Sequence, residues 1–341
     1  MCAEPLCCRK EVGKAKSEED YAGVWGYQGK CDIPLRTLDL FVEKVVNEIK
    51  PDIILWTGDN VPHNPWNDNT DEIYNITQTF VDLLYKKYQY KGAVFPSLGN
   101  HEEYIADQFN PFDISREKDF LKRMADIYKI FLGDEQYEEF TKFGFYTSKF
   151  SNTNLRIVSL NSFLCDVMNF FLIRDPTDPG KQFQWLEKVL RKAERDGEYV
   201  FIIGHIPPGD STYLSECSKR YNAIVDRFSD TIRGQFYGHT HYDEFRIIKE
   251  YFNDKNIAGI ILTAPSLTSY AWKNPSFRIY DVDSKTAILK DYHQYRLNLT
   301  EANQSTLKPE WKIAYSAKKV KYFFIVFLFN IGLRNRKFNG L

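Results

Sequence analysis

The sequence predicts an α/β protein on three observations: short apolar runs, amphipathic helical periodicities between them, and glycine-led polar motifs closing most of the runs. Asp52–Trp56 (DIILW) leads into Thr57-Gly58-Asp59-Asn60, and Ala93–Leu98 (AVFPSL) into Gly99-Asn100-His101-Glu102. Leu155–Leu160 leads into Asn161, Tyr199–Ile203 into Gly204-His205, and Gln235–Tyr237 into Gly238-His239-Thr240-His241. Runs this short, rich in β-branched or aromatic residues and bounded by turn formers, read as buried strands. Leu35, Leu38, Phe41, Val42, Val45, Val46 and Ile49 recur at helical steps, as do Phe183, Leu186, Val189 and Leu190. Segments 71–86, 116–131 and 215–229 also read as helix. From residue 257 the pattern turns to closely spaced strands at Ile257–Thr263, Phe277–Val282 and Thr286–Asp291. Alternating strands and helices gather the polar ends of several strands on one rim.

Composition narrows the class. Hydrophobic residues make up 43% and charged residues 27% of 341, with 22 Tyr and 26 Phe, which suits a packed core and excludes a disordered chain. Lys and Arg number 45 against 46 Asp and Glu, so no basic excess marks a nucleic-acid polymer as partner. The apolar run Tyr322–Leu333 is about a dozen residues long and contains Asn330. A bilayer span takes roughly 20, so no transmembrane span is expected and the run reads as a buried segment. The first residues lack a signal-peptide pattern. Six cysteines, with no CxxC pair, accompany sequons at Asn75, Asn298 and Asn303. An even cysteine set with sequons favours an oxidising compartment, and hence an N-terminus that is not the natural one.

The polar motifs carry the chemistry. Gly58-Asp59, Gly99-Asn100, Gly204-His205 and Gly238-His239-Thr240-His241 each set an oxygen or nitrogen ligand after a glycine at a strand end, where the backbone turns tightly. Carboxylate, amide and imidazole suit zinc, manganese or iron. One Asp can bridge two ions, and His239 and His241 project to one side if the backbone is extended. Any one motif alone is noise; together they predict a metal centre.

The order GDN, GNHE, GH, GHTH resembles the calcineurin-like metallophosphoesterase superfamily. WTGDNVPHNPW, IIGHIPPG, QFYGHTHYDEF, TAPSLTSY, LNLTEAN and the N-terminal CAEPLCC and CDIPLRTL are similar to the acid sphingomyelinase family, from about residue 2 to about 316. The resemblance implies a four-layer α-β-β-α sandwich with two zinc ions at the strand ends. Asp59 would bridge them, Asn100, His205 and His239 would complete one site, and His241 would serve the other. His101 would protonate the leaving oxygen, with Glu102 orienting it and His63 stabilising the same charge. The cysteines would pair Cys2–Cys7, Cys8–Cys31 and Cys165–Cys217. The implied reaction is hydrolysis of sphingomyelin to ceramide and phosphocholine, with a sphingolipid at a membrane surface as partner and a secreted or lysosomal location.

This sequence departs from that family in three places. The Asp-x-His motif of the family's first strand is absent, so the first strand of the sandwich is expected to be missing. The sole Asp-x-His, Asp291-Tyr292-His293, reads as a surface strand pair. A preceding saposin-like domain is absent, and Lys319–Leu341 matches nothing in the family. The expected organisation is a disulfide-bearing segment at 1–50, a catalytic core at 51–300 and a truncated C-terminal region at 301–341. With its ligands reduced, the chain is expected to hold one zinc well, or none, and to hydrolyse phosphodiesters poorly. Competing expectations are a phosphodiesterase acting on nucleotides or other soluble diesters, and a catalytically impaired lipid-binding remnant.

Overall fold

The computed structural model describes residues 6–17, 21–65 and 69–320. Within them, six strands form one sheet in the order β3-β4-β5-β6-β8-β7. These are β3 (Tyr146–Lys149), β4 (Leu155–Ser159), β5 (Tyr199–Ile203), β6 (Ile232–Tyr237), β7 (Glu244–Lys249) and β8 (Ile257–Thr263). Strands β4, β5, β6 and β8 run parallel, while β3 and β7 are antiparallel edges. The facing layer is in two pieces. One is the parallel pair β1 (Ile53–Trp56) and β2 (Ala93–Pro96); the other is antiparallel, β11 (Lys312–Ser316), β10 (Leu289–Arg296) and β9 (Ser276–Val282).

Apolar side chains from both layers meet between the sheets: Phe95, Ile53 and Tyr280 from one, Ile157, Phe201 and Phe236 from the other. Helices cover the outer faces. Against the six-stranded sheet, α5 (Gln182–Asp196) and α6 (Ser215–Arg227) bury Phe183, Leu186, Tyr221 and Val225. Over β1 and β2 lie α1 (Leu35–Glu43), α2 (Thr70–Asp82), α3 (Ile114–Tyr128) and α4 (Asp134–Phe143), whose Val42, Phe80, Leu121 and Phe140 pack around Trp56 and Val94. The expected α-β-β-α order is therefore present. The helical patterns at 35–49 and 71–86 are each interrupted near the end, where Lys44–Ile49 and Leu83–Lys87 widen into π-helical turns.

Among the described residues, β1 pairs with β2 on one side only, and β9 with β10 on one side only. Between their free edges lies a slot of about 1120 Å³, lined by Ile53–Trp56 of β1, Phe277–Val282 of β9 and Phe201 and Phe236 of the opposite sheet. Among the described residues no strand fills it. This is the place in the layer where the expected first strand would fit. The apolar run Tyr322–Leu333 lies outside the described residues.

Candidate metal centre

The loop after β1 turns inward through two left-handed residues, Gly58 (φ 86°) and Asp59 (φ 56°). The loop after β2 presses directly on it. A Cβ on Gly99 would collide with the Asp59 carboxylate and amide, so glycine is required there for close approach of two loops. Buried Glu102 staples the two together. Its carboxylate accepts from Asp59 N at 2.9 Å, Asn60 N at 2.6 Å, Asn60 Nδ2 at 3.0 Å and Gly99 N. This corrects the expectation for Glu102, whose carboxylate is spent on three backbone N–H groups and the Asn60 side-chain amide and makes no hydrogen bond to His101. His101 is placed instead by its own N–H, which donates to Asp59 Oδ1 at 3.0 Å. Its buried Nδ1 has no hydrogen-bond partner among the described residues.

The ligands from the six-stranded sheet arrive on β5 and β6. His205 Nδ1 donates to Thr57 O at 2.7 Å, which leaves Nε2 as the bare nitrogen, 2.8 Å from Asp59 Oδ2. Asn100 donates through Nδ2 to Asp107 at 2.8 Å and turns Oδ1 inward, 3.0 Å from His239 Nδ1. His239 Nδ1 is also 3.3 Å from His205 Nε2, and its Nε2 meets Thr212 Oγ1 at 2.9 Å. Asp59, His205 and His239 each offer a donor atom within 4.8 Å of the others. A half-buried carboxylate, an amide oxygen and two imidazole nitrogens brought together fit a divalent cation.

The backbone of His239 and His241 is not extended. Both residues are left-handed, φ 68° and 60°, so the geometry behind the expectation that they project to one side does not hold. His239 joins the cluster, while the His241 ring meets the His63 ring edge-on at 5.2 Å, and His63 in turn lies 5.9 Å from His101. The structure thus brings Asp59, Asn100, His205 and His239 within hydrogen-bond reach of one another, and His241 lines the same cavity beside His63.

Electrostatics divide the cluster: burial opposes charge on His205, yet the Asp59 carboxylate beside it raises its pKa, so a cation there displaces a proton. Burial opposes charge on Asp59, but the charges of His205 and His101 and their hydrogen bonds hold its carboxyl well below the usual range. Burial, reinforced by neighbouring His205, lowers His239 to about 4; burial with neighbouring His63 does the same to His241. Both are neutral imidazoles at neutral pH, the form that binds metal.

His63 is held by residues far off in sequence. Asp32 accepts from His63 N at 2.8 Å and pairs with His63 Nδ1 at 2.8 Å, while Thr268 Oγ1 donates to Asp32 at 2.6 Å. Tyr270 stacks on the ring at 4.2 Å. Burial works against charge on His63, yet the Asp32 hydrogen bond raises its pKa. Asp32, Thr268, Tyr270, Asp107 and Thr212 are the residues that motif reading missed. Asp32 sits inside CDIPLRTL, but nothing in its spacing points at His63.

The disulfides Cys8–Cys31 and Cys165–Cys217 are formed, and the first anchors the residue next to Asp32. Cys2, and with it the Cys2–Cys7 pair, lies outside the described residues. Asn75 is exposed on α2. Asn298 caps the helix Leu299–Gln304, and Asn303 Nδ2 donates to Gly26 O at 2.9 Å. Asp291 and His293 sit on β10, where His293 Nε2 meets Asp281 at 2.9 Å and Asp291 accepts from Ser316 Oγ at 2.6 Å.

Residues 31–243 match the calcineurin-like phosphoesterase family, and the chain belongs to it. Within the family it is similar to the sphingomyelin phosphodiesterase of Bos taurus, 35% identical over 325 residues, 93% of this chain and 51% of that protein. Sphingomyelin phosphodiesterase B of Dictyostelium discoideum is 36% identical, over 92% of this chain and 50% of its own length. The cyclic GMP-AMP phosphodiesterase SMPDL3A of Homo sapiens is 34% identical, over 84% and 64%. The chain spans about half the length of the sphingomyelin phosphodiesterases it matches. A dimetal phosphatase from Danio rerio shares the fold, with a TM-score of 0.50 at 16% identity over 82% of this chain and 90% of that one. No described helix is long and apolar enough to cross a membrane.

Proposed function

We propose that the chain is a zinc phosphodiesterase acting on sphingomyelin, releasing phosphocholine and leaving ceramide. The convergence of Asp59, Asn100, His205 and His239 carries this reading, and the similarity to sphingomyelin phosphodiesterases supports the choice of substrate. Bound zinc would supply charge to the phosphoryl oxygens and acidify water. The chain's own residues do the rest. His101, fixed through its backbone to Asp59 and with Nδ1 unspent, delivers the proton to the departing ceramide oxygen. His63, oriented by Asp32 and Tyr270, stabilises charge on the same oxygen. His241 would serve a second ion, for which Asp59 is the shared ligand. The slot beside β1 is where an Asp-x-His strand would complete that half, while the described residues furnish a full donor set for one zinc. Two formed disulfides and exposed Asn75 support a secreted or lysosomal, glycosylated protein.

A second reading, hydrolysis of a nucleotide diester, draws on the SMPDL3A relatives. Head-group release from sphingomyelin in detergent micelles and from a cyclic dinucleotide separates them. Phosphocholine release that an added Asp-x-His strand increases is expected. Release from the dinucleotide alone sinks the lipid reading, and binding of sphingomyelin with no release even after the strand is restored leaves a lipid-binding remnant.

A further inference from the structure

Two groups of solvent-facing apolar side chains border the candidate centre, one on each of its halves. The first is the 3-10 turn Phe170–Arg174 with the loop before it, where Phe170 is 63% and Ile173 82% exposed and Met168 is also exposed. That segment hangs on the metal ligands. Val167 N donates to Thr212 O at 2.9 Å, and Thr212 Oγ1 meets His239. Gln108 Nε2 donates to Met168 O at 2.7 Å, from a loop whose Asp107 N bonds Asn100 O at 2.8 Å. Exposed Ile105 extends the patch on that loop.

The second group belongs to the His63 and His241 half. Tyr242 follows His241, and Trp272 follows Tyr270, which stacks on His63. Trp272 is 70% exposed, and both it and Ala271 are left-handed, φ 60° and 57°. Two successive non-glycine residues in that conformation are disfavoured, so the turn holds an indole out in water at a backbone cost. Cations stand among the apolar groups. Lys273 Nζ lies 4.2 Å over the Tyr242 ring, and the Arg174 guanidinium lies 5.0 Å over Phe112. The neighbouring Asp175 carboxylate is turned back onto Thr177, at 2.9 Å from its N–H.

Exposed apolar clusters of this kind mark interaction surfaces. Aromatic rings with interspersed cations suit the boundary between acyl chains and phosphate head groups. We infer that these two lips seat on a phospholipid bilayer and hold the centre against the head groups between them. The inference rests on the sphingolipid reading of the site and names the surface through which that substrate is reached.

Co-sedimentation of the full chain with phosphatidylcholine vesicles, with and without sphingomyelin, tests it. Binding to both vesicle types is expected, with a blue shift of tryptophan emission that Trp272→Ala removes. Phe170→Glu with Ile173→Glu should weaken partitioning at least tenfold, and Trp272→Ala about threefold, with unchanged circular dichroism and zinc content. Native chain that ignores both vesicles, or variants that partition like it, overturns the inference. So does a chain whose lips drive self-association in sedimentation velocity and bind no vesicle. Docking on phosphatidylcholine without release of phosphocholine from micellar sphingomyelin would instead fail the substrate reading and leave the docking surface standing.

Discussion

Asp59, Asn100, His205 and His239 converge within hydrogen-bond distances, whereas His241, two residues beyond His239, faces His63 and the slot between β1 and β9. The strands behind the two halves differ in the same way. Strands β5 and β6 are paired on both sides, so the loops that leave them start from fixed positions. Among the described residues, strand β1 is paired on one side, and the layer it belongs to is split. A metal site assembled from strand ends is as complete as the sheet behind it, because each missing strand removes both a pairing edge and the ligands at its tip.

The largest expected effect concerns metal content. Zinc-loaded, desalted full chain should retain one zinc by elemental analysis. Asp59→Ala and His205→Ala should retain none, since each removes a donor from a set already at the three or four that zinc needs. His241→Ala should retain the one ion. Two tightly held ions in the native chain, or equal loss in all three variants, would break the distinction between the halves.

Within the tight half the close approach of two loops is the point of failure. Gly99→Ala places a methyl group against the Asp59 carboxylate and the Glu102 staple. Relief of that overlap should cost up to about 3 kcal/mol in urea unfolding and weaken zinc binding measurably. In the open half, Asp32→Asn removes the charge that holds His63 and should cost about 1.5 kcal/mol. Because Asp32 raises the His63 pKa, its loss should move the His63 titration, followed by NMR, to lower pH. An unmoved midpoint would mean that Asp32 is a structural cap and does not tune His63.

These dependences also explain what was legible in the sequence. Tyr199–Ile203 and Ile257–Thr263 form strands at the predicted bounds because strands inside a covered sheet are apolar on both faces. Strands β3, β7 and β11 escaped notice. They are edges, and edge strands carry charges such as Lys149, Glu244, Arg246 and Lys312 that break the apolar pattern. At the centre, ligands placed by local glycine turns were legible, as at Gly58-Asp59 and Gly204-His205. The direction of His241 was not, because it depends on left-handed backbone after His239. Asp32 and Thr268 were invisible because they meet His63 only through the tertiary fold, with the Cys8–Cys31 bridge holding one of them near it.

The smallest effect involves two neighbouring buried carboxyls, Glu103 and Glu117. Glu117 also accepts from Asn110 N at 2.8 Å and has Arg116 3.8 Å away. Burial, then the neighbouring Glu117 carboxyl, pushes Glu103 from the usual 4.5 up to about 11. Between those values the folded chain keeps a proton that the unfolded chain releases, so stability falls as pH rises through that window. Glu103→Gln keeps the shape of the side chain and has nothing to ionise. It should match the native chain near pH 4.5 and exceed it increasingly toward pH 8. The expected gain between pH 6 and pH 8 is about 1 kcal/mol, within a ceiling of about 1.4 kcal/mol per pH unit. Parallel stability curves for the two proteins across that range would show that Glu103 ionises freely in the fold. The loop carrying Asn100 and His101 would then owe its position to the Glu102 staple and to the Asp59 and Asp107 hydrogen bonds, with no acid-dependent support from Glu103.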